Sequence, residues 1–185
     1  WLARYEAACR EVLADATLPL VGDDRSGLYF SLEGARDAAG DSLGQRALED
    51  QHIAMLEDEA KRATSAEQRA VYDSHRVSLY IGLGRPADAV PMLQQSQRDF
   101  PDDYNPPQRL AAIYKAMKLW DDALAASDLA LARAYGPRQF LVLSTRVDIQ
   151  LGKGDKAAAV ATLTDALDRA QKMPEGQRSE GTIKA

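Results

Sequence analysis

MKLWDDALAASDLALARAYGP, residues 117–137, has a neighbour of the same design on either side. LGRPADAVPMLQQSQRDFP occupies residues 83–101, and GKGDKAAAVATLTDALDRAQKMP occupies residues 152–174. Each segment opens on a turn, carries a central Ala, then Leu or Ser and a small residue about one helical turn further on, and closes on Pro. Aligned on Ala89, Ala123 and Ala159, the segments recur after 34 and 36 residues. Before each of them a second helical pattern runs from about 68 to 83, 106 to 118 and 138 to 152. Self-similarity at a period of this length marks stacked supersecondary units, so each unit predicts a helical hairpin. The hairpins are expected to break near residues 84, 119 and 154, with at least seven helices and no sheet in all.

The joint between two hairpins is RDFPDDYNPPQRLAAIY, residues 98–114. Pro106 and Pro107 cannot lie inside a helix, since each lacks an N–H and crowds the preceding turn, but both fit a first turn. Asn105 reads as the cap before them. Pro101 pushes Phe100 out of the α region and stops the previous helix. Tyr104 either staples this joint or points into the groove, and the sequence leaves both open.

On these residues the chain resembles the tetratricopeptide repeat family, whose unit of about 34 residues carries W-x2-L-G-x2-Y, then A-x3-F, then P. In the middle unit Leu110, Ala111 and Tyr114 take the first motif, and Ala123 and Ala130 the small positions of the second helix. Pro107 stands at the Trp position and Ser127 replaces the aromatic. In the unit before, Tyr80, Ala89, Leu93 and Pro101 match, while Asp73, Arg76 and Val77 depart. In the last unit Ala159, Leu163 and Ala166 match, with Gln150 in place of Tyr. The resemblance covers about residues 68–173. It implies an all-α, right-handed superhelix of stacked antiparallel hairpins with a concave face that holds a protein or peptide. The expected lining is Arg76, Tyr80, Gln108, Arg109, Ala112, Lys115, Ser144 and Asp148. Family members that clamp a C-terminal carboxylate place Lys and Asn on these helices; Ser74, Gln108 and Ser144 stand there instead.

Small residues at the repeat-aligned positions let two helices approach closely, so that ridges enter grooves. Ala89, Ala123 and Ala159 mark that contact. Leu93, Leu110, Leu119, Leu124, Leu143, Leu163 and Leu167 are expected to supply the apolar stripe at helical spacing.

The organisation upstream is less regular. Residues 1–25 are read as a helix and a break, with Trp1, Tyr5, Ala8, Val12 and Leu13 near one face; residues 26–66 are read as an irregular hairpin, residues 67–173 as the three repeat hairpins, and residues 174–185 as a disordered tail. Gly40 is expected to end one helix and Ser42 to cap the next.

Net charge of -5 argues against a nucleic-acid backbone as partner, because that affinity rests on many Lys and Arg contacts to phosphate. No apolar run approaches the roughly 18 residues of a membrane span. The chain opens on Trp1 rather than Met, which reads as an excised or mature segment, and cytoplasm and periplasm both stay open. Cys9 is the only cysteine, which leaves no internal disulfide.

Several short motifs invite chemistry. GLGRPA (82–87) and GKGDKA (152–157) match G-x-G-x-x-A, but helix rather than strand precedes both, and both fall at the same phase of the repeat. The inter-helix turn explains them together. Glu49 and His52 form E-x-x-H without the second copy a di-iron bundle needs. His52 and His75 are the only histidines, so no metal set assembles, and both are expected in ordinary structural roles. Glu57 and Asp58 are expected to pair with Lys61 and Arg62 on a solvated face. No nucleophile–base set emerges either. No catalytic residue, metal or cofactor is predicted.

The expected function is a non-catalytic protein- or peptide-binding scaffold, with a homo-oligomer left open. The alternative rests on a second resemblance: FPDDYNPPQRLAAIYKAMKLWDDALAASDLALARAYGPR is similar to helical-repeat regions that follow a thioredoxin-like domain in some bacterial proteins. That implies an accessory domain whose redox centre lies outside this chain.

Overall fold

The computed structural model describes residues 1–15 and 17–174. Among the described residues the chain is all-α, with ten α-helices, one 3₁₀ segment and no strand. No described helix is long and apolar enough to cross a membrane. The tail expected to be disordered lies almost wholly outside the described residues. The chain divides into two compact units, Trp1–Arg85 and Pro86–Ala185, and the boundary falls inside the first of the three expected hairpins.

The first unit holds α1 (Leu2–Ala14), α2 (Gly22–Ala38), α3 (Ser42–Arg62), the single-turn α4 (Ala66–Ala70) and α5 (Asp73–Gly82). α2 packs on α1 and α3, and α3 also meets α4 and α5. Its core includes Cys9, Leu32 and Leu48, with Leu13, Leu28 and Tyr29 packed against them. The inner face of α1 is therefore turned from the expected one: Cys9 is buried, whereas Trp1, Tyr5 and Ala8 are exposed. Burying Cys9 beside two leucines brings Glu6 against Arg36, which the Trp1 face would not. The expected helix over about 68–83 is interrupted at Val71 and Tyr72. There the Tyr72 ring lies directly over Gly22, so closely that a Cβ added at Gly22 would require the ring to shift.

Gly40 ends α2 with φ of 71°, as its lack of a Cβ permits. The cap of α3 is Asp41 rather than Ser42: its carboxylate accepts from the Gly44 N–H at 2.9 Å. That bond, and then Arg36, hold the Asp41 carboxyl below its usual value.

The second unit holds the 3₁₀ segment (Pro86–Ala89), α6 (Val90–Asp99), α7 (Asn105–Ala116), α8 (Trp120–Arg133), α9 (Arg138–Lys153) and α10 (Lys156–Lys172). Each of α6 to α10 packs on the next in sequence, and α7 also packs on α9. Tyr104 is buried with Ala130, Ala134 and Val142, so it staples the joint. Pro106 and Pro107 are buried in the first turn of α7. Asn105 is not the side-chain cap expected of it. It is the first residue of α7, and both its backbone N–H and its amide donate to Asp103 Oδ1, at 2.9 and 2.8 Å. Pro106 and Pro107 behind it remove two orphan donors, and Asp103 satisfies another.

The expected breaks near 84, 119 and 154 are closed by one device. Gly84, Lys118 and Gly154 have φ of 69°, 59° and 88°. The residue after each donates back to Tyr80, Tyr114 and Gln150 O, at 2.8, 2.9 and 2.8 Å. This is the Schellman bond, which satisfies carbonyls left over at a helix end. Five residues past each left-handed position sits the aligned alanine, and Ala89, Ala123 and Ala159 are all buried. The first helices repeat as well: Val77, Ala111 and Val147 are buried at equivalent places, and so are Leu79, Ile113 and Ile149.

The expected leucine stripe divides. Leu93, Leu110 and Leu143 are buried, but Leu119, Leu163 and Leu167 are exposed. Leu119 stands at the turn before α8. Leu163 and Leu167 lie on α10, after which no further described helix is available to cover them.

Candidate functional site

The expected concave-face residues fall in both units. In the second unit, Gln108, Arg109, Ala112 and Lys115 lie on α7, and Ser144 and Asp148 on α9. The structure brings these two helices together. Gln108 Nε2 donates to Thr145 Oγ1 at 2.7 Å, and Lys115 Nζ meets Asp148 Oδ2 at 2.8 Å. Gln108 is buried, and its Oε1 is left without a hydrogen-bond partner. Ser144 and Asp148 are exposed, and Arg109, Ala112 and Lys115 are half-buried. An exposed lysine–carboxylate pair contributes little to stability, so an incoming carboxylate or ammonium group can exchange with either partner at small cost. Thr145 was not among the expected residues. Its signal was its place 37 residues after Gln108, close to one repeat.

In the first unit Arg76 and Tyr80 lie on α5 and are engaged by Glu57 of α3. Both are buried. Arg76 Nε and Nη2 donate to Glu57 Oε1 at 2.9 and 2.7 Å, and the Tyr80 hydroxyl donates to the same oxygen at 2.7 Å. Asp73, also buried, stands 3.7 Å from Arg76 Nη1. Burial, and then the bond to Glu57, push the Tyr80 phenol up to about 12. Glu57 is thus held by α5, whereas the expected pairing on α3 is made by Asp58 and Arg62. A buried guanidinium with this many partners supports the packing of α3 on α5, and removing it would leave uncompensated carboxylates.

The first unit holds a second polar cluster. Glu33 Oε1 accepts from His52 Nδ1 at 2.8 Å, His52 Nε2 faces Ser26 Oγ at 2.7 Å, and His75 Nδ1 faces the same oxygen at 3.0 Å. Tyr29 stacks on the His52 ring and Phe30 meets both imidazoles edge-on. His52 therefore finds its carboxylate on α2, not at Glu49. Burial, and then the Glu33 charge, raise the Glu49 carboxyl above its usual value. Glu33, His52 and Ser26 stand in the order of an acid–base–nucleophile chain. Ser26 and His52 are completely buried, however, and Ser26 lies a full turn inside α2, where backbone N–H groups are committed to the helix ladder and cannot serve an oxyanion. The arrangement joins α2, α3 and α5 through one hydroxyl and offers no place for an acyl group. Among the described residues no group of three or more His, Cys, Asp or Glu side chains is placed to hold a metal ion.

Compared with family models, curated proteins and solved structures, the chain matches none.

Proposed function

We propose that the chain is a tetratricopeptide-like helical repeat, a right-handed superhelix of stacked hairpins that binds a protein or peptide and does no chemistry of its own. The observation that supports this most is the recurrence of one turn: a left-handed residue at 84, 118 and 154, the same backbone bond behind it, and a buried alanine five residues ahead. A chain that closes successive helix pairs identically stacks them in one direction, and first helices then line a common face. The packing of α7 on α9 supports that arrangement. The binding residues of this reading are Arg109, Lys115, Ser144 and Asp148, with Gln108 behind them; Arg76 and Tyr80 are withdrawn from it because Glu57 occupies them.

The test is selection of a displayed random-peptide library on the full chain, followed by NMR of the chain with an enriched peptide. Amide shifts concentrated on α7 and α9, and loss of binding in Arg109→Ala/Lys115→Ala with an unchanged circular dichroism spectrum, are expected. Enriched peptides that shift only amides outside α7 and α9, or that bind the double variant as well as wild type, overturn the assignment.

A further inference from the structure

We propose that the outer face of α10 is a dimerisation seam, on which the α10 of a second copy of this chain lies antiparallel. Val160, Leu163 and Leu167 are 63, 50 and 55 % exposed. Their counterparts in the two preceding hairpins are covered. Counted from the aligned alanines, Val160 corresponds to Val90 and Leu124, which are half-buried. Leu163 corresponds to Leu93 and Ser127, which are fully buried, and Leu167 to Gln97 and Leu131, again half-buried. α6 and α8 are each followed by a helix that packs on them, α7 and α9. α10 has no such successor among the described residues. Its three apolar side chains thus stand at positions that are covered in the earlier hairpins.

The pattern of the stripe suits a helix. Lys156, Val160, Leu163 and Leu167 follow one another at four, three and four residues, the alternation by which two helices meet along a line. In an antiparallel pair the alternate positions face each other. Val160 then packs on the second copy's Leu163, and Leu167 on the aliphatic stem of the second copy's Lys156. Asp168, next to Leu167, stands beside that lysine's ammonium group. The two-fold axis repeats each contact.

Charge selects this copy and this direction. Lys156 and Asp168 are exposed, and neither is ion-paired among the described residues, whereas Asp155 caps the helix and Asp165 holds Arg169. Lys156 is also the first residue of α10, whose first turn carries no acid, so its charge sits at the positive end of the helix dipole. An antiparallel copy brings Asp168 and the C-terminal half of its own helix to that end. A parallel copy would set lysine against lysine and aspartate against aspartate. Trp1 and Tyr5 on α1 are exposed apolar side chains as well, but α1 on α10 would join two different surfaces and build open chains rather than a closed pair.

Val160 to Leu167 spans about 10 Å of helix, and three side chains over that length fall well short of the roughly 800 Å² per partner of a stable interface. The pairing is therefore weak and reversible, and is populated at high chain concentration.

The experiment is sedimentation equilibrium of the full chain over a dilution series from about 1 mM, with amide NMR spectra of the same samples. A mass between monomer and dimer that falls on dilution is expected, with amide shifts on residues 156–168 moving alongside it. Leu163→Asp alters an exposed side chain, so it should keep the wild-type circular dichroism spectrum and stay monomeric throughout. Lys156→Glu should weaken the dimer about three- to tenfold, because both Lys–Asp pairs become repulsions. Lys156→Glu/Asp168→Lys should restore it. A chain that is monomeric at every concentration overturns the inference and leaves the seam to residues 175–185 or to another protein. So do a mass that climbs past the dimer, dilution shifts that lie away from α10, and a double reversal that pairs no more tightly than Lys156→Glu. The wild-type series needs no variant, so it decides even if Leu163→Asp folds poorly.

Discussion

Lys118 holds a backbone conformation that its two counterparts assign to glycine. Its φ is 59°, against 69° at Gly84 and 88° at Gly154, and the same bond pattern runs through all three turns. A side chain in the left-handed region costs about 1–2 kcal/mol, from the approach of Cβ to the following carbonyl. Lys118→Gly removes that strain. Glycine brings back about 0.5–1 kcal/mol of backbone entropy lost on folding. The lysine is exposed, so little packing goes with it. The difference is a net gain of about 0.5–1 kcal/mol, which for a unit of about 100 residues raises Tm by about 2–8 °C, and by roughly half that if the whole chain melts as one. The mirror experiment is Gly154→Ala. Nothing lies within 4 Å of a Cβ added there, so its expected cost of about 1 kcal/mol is purely conformational. Thermal melts and urea midpoints of both variants decide the matter. A Tm for Lys118→Gly at or below wild type, beside a Gly154→Ala that loses stability, would refute the equivalence of the turns.

Other outcomes are expected on the same grounds. Ala123 is fully buried, so Ala123→Leu should overpack and lose about 1–3 kcal/mol in urea unfolding, whereas Leu at the exposed Ala132 should leave the midpoint near wild type. Asp103→Ala should cost about 0.5–2 kcal/mol by freeing the N–H of Asn105, and more than Asn105→Ala, which keeps that backbone bond. With Tyr80 pushed up to about 12 and Tyr72 also raised by burial, phenolate absorbance should show Tyr80 ionising last, and Glu57→Gln should bring it closer to the others. A raised phenol stabilises the fold fully below its unfolded value near 10, and that contribution is lost as pH rises from there toward about 12.

What sequence could show here is local and periodic. Glycine at 84 and 154 and the small residue at 89, 123 and 159 carry their structural meaning in their own chemistry, and the period locates the turn at Lys118 even though lysine gives no sign of φ above zero. The partners of Glu57, His52 and Asp103 were not legible. Lys61 stands one helical turn after Glu57 in sequence, and nothing on α3 indicates that Arg76 and Tyr80 outcompete it from another helix. His52 has Glu49 one turn away in sequence and Glu33 on α2 in fact, because the rotation of one helix about its axis against another is fixed by packing, not by spacing. The same limit applies to the candidate face. The helices that carry it were read from the repeat, but the burial of Arg76 and Tyr80 and the link from Gln108 to Thr145 depend on which neighbour each helix meets.

The turns at 118 and 154 are closed by main-chain atoms, Leu119 N on Tyr114 O and Asp155 N on Gln150 O, and neither bond reads the side chain that accompanies it. Such a junction is interchangeable between copies. Removing residues 119–154 would join Lys118 directly to Asp155, so that α7 would run through an unaltered turn into α10, with one complete period excised and the order of first and second helices preserved. Length in this architecture can thus change by whole periods through a single cut and splice, and the turn is the seam at which it does so.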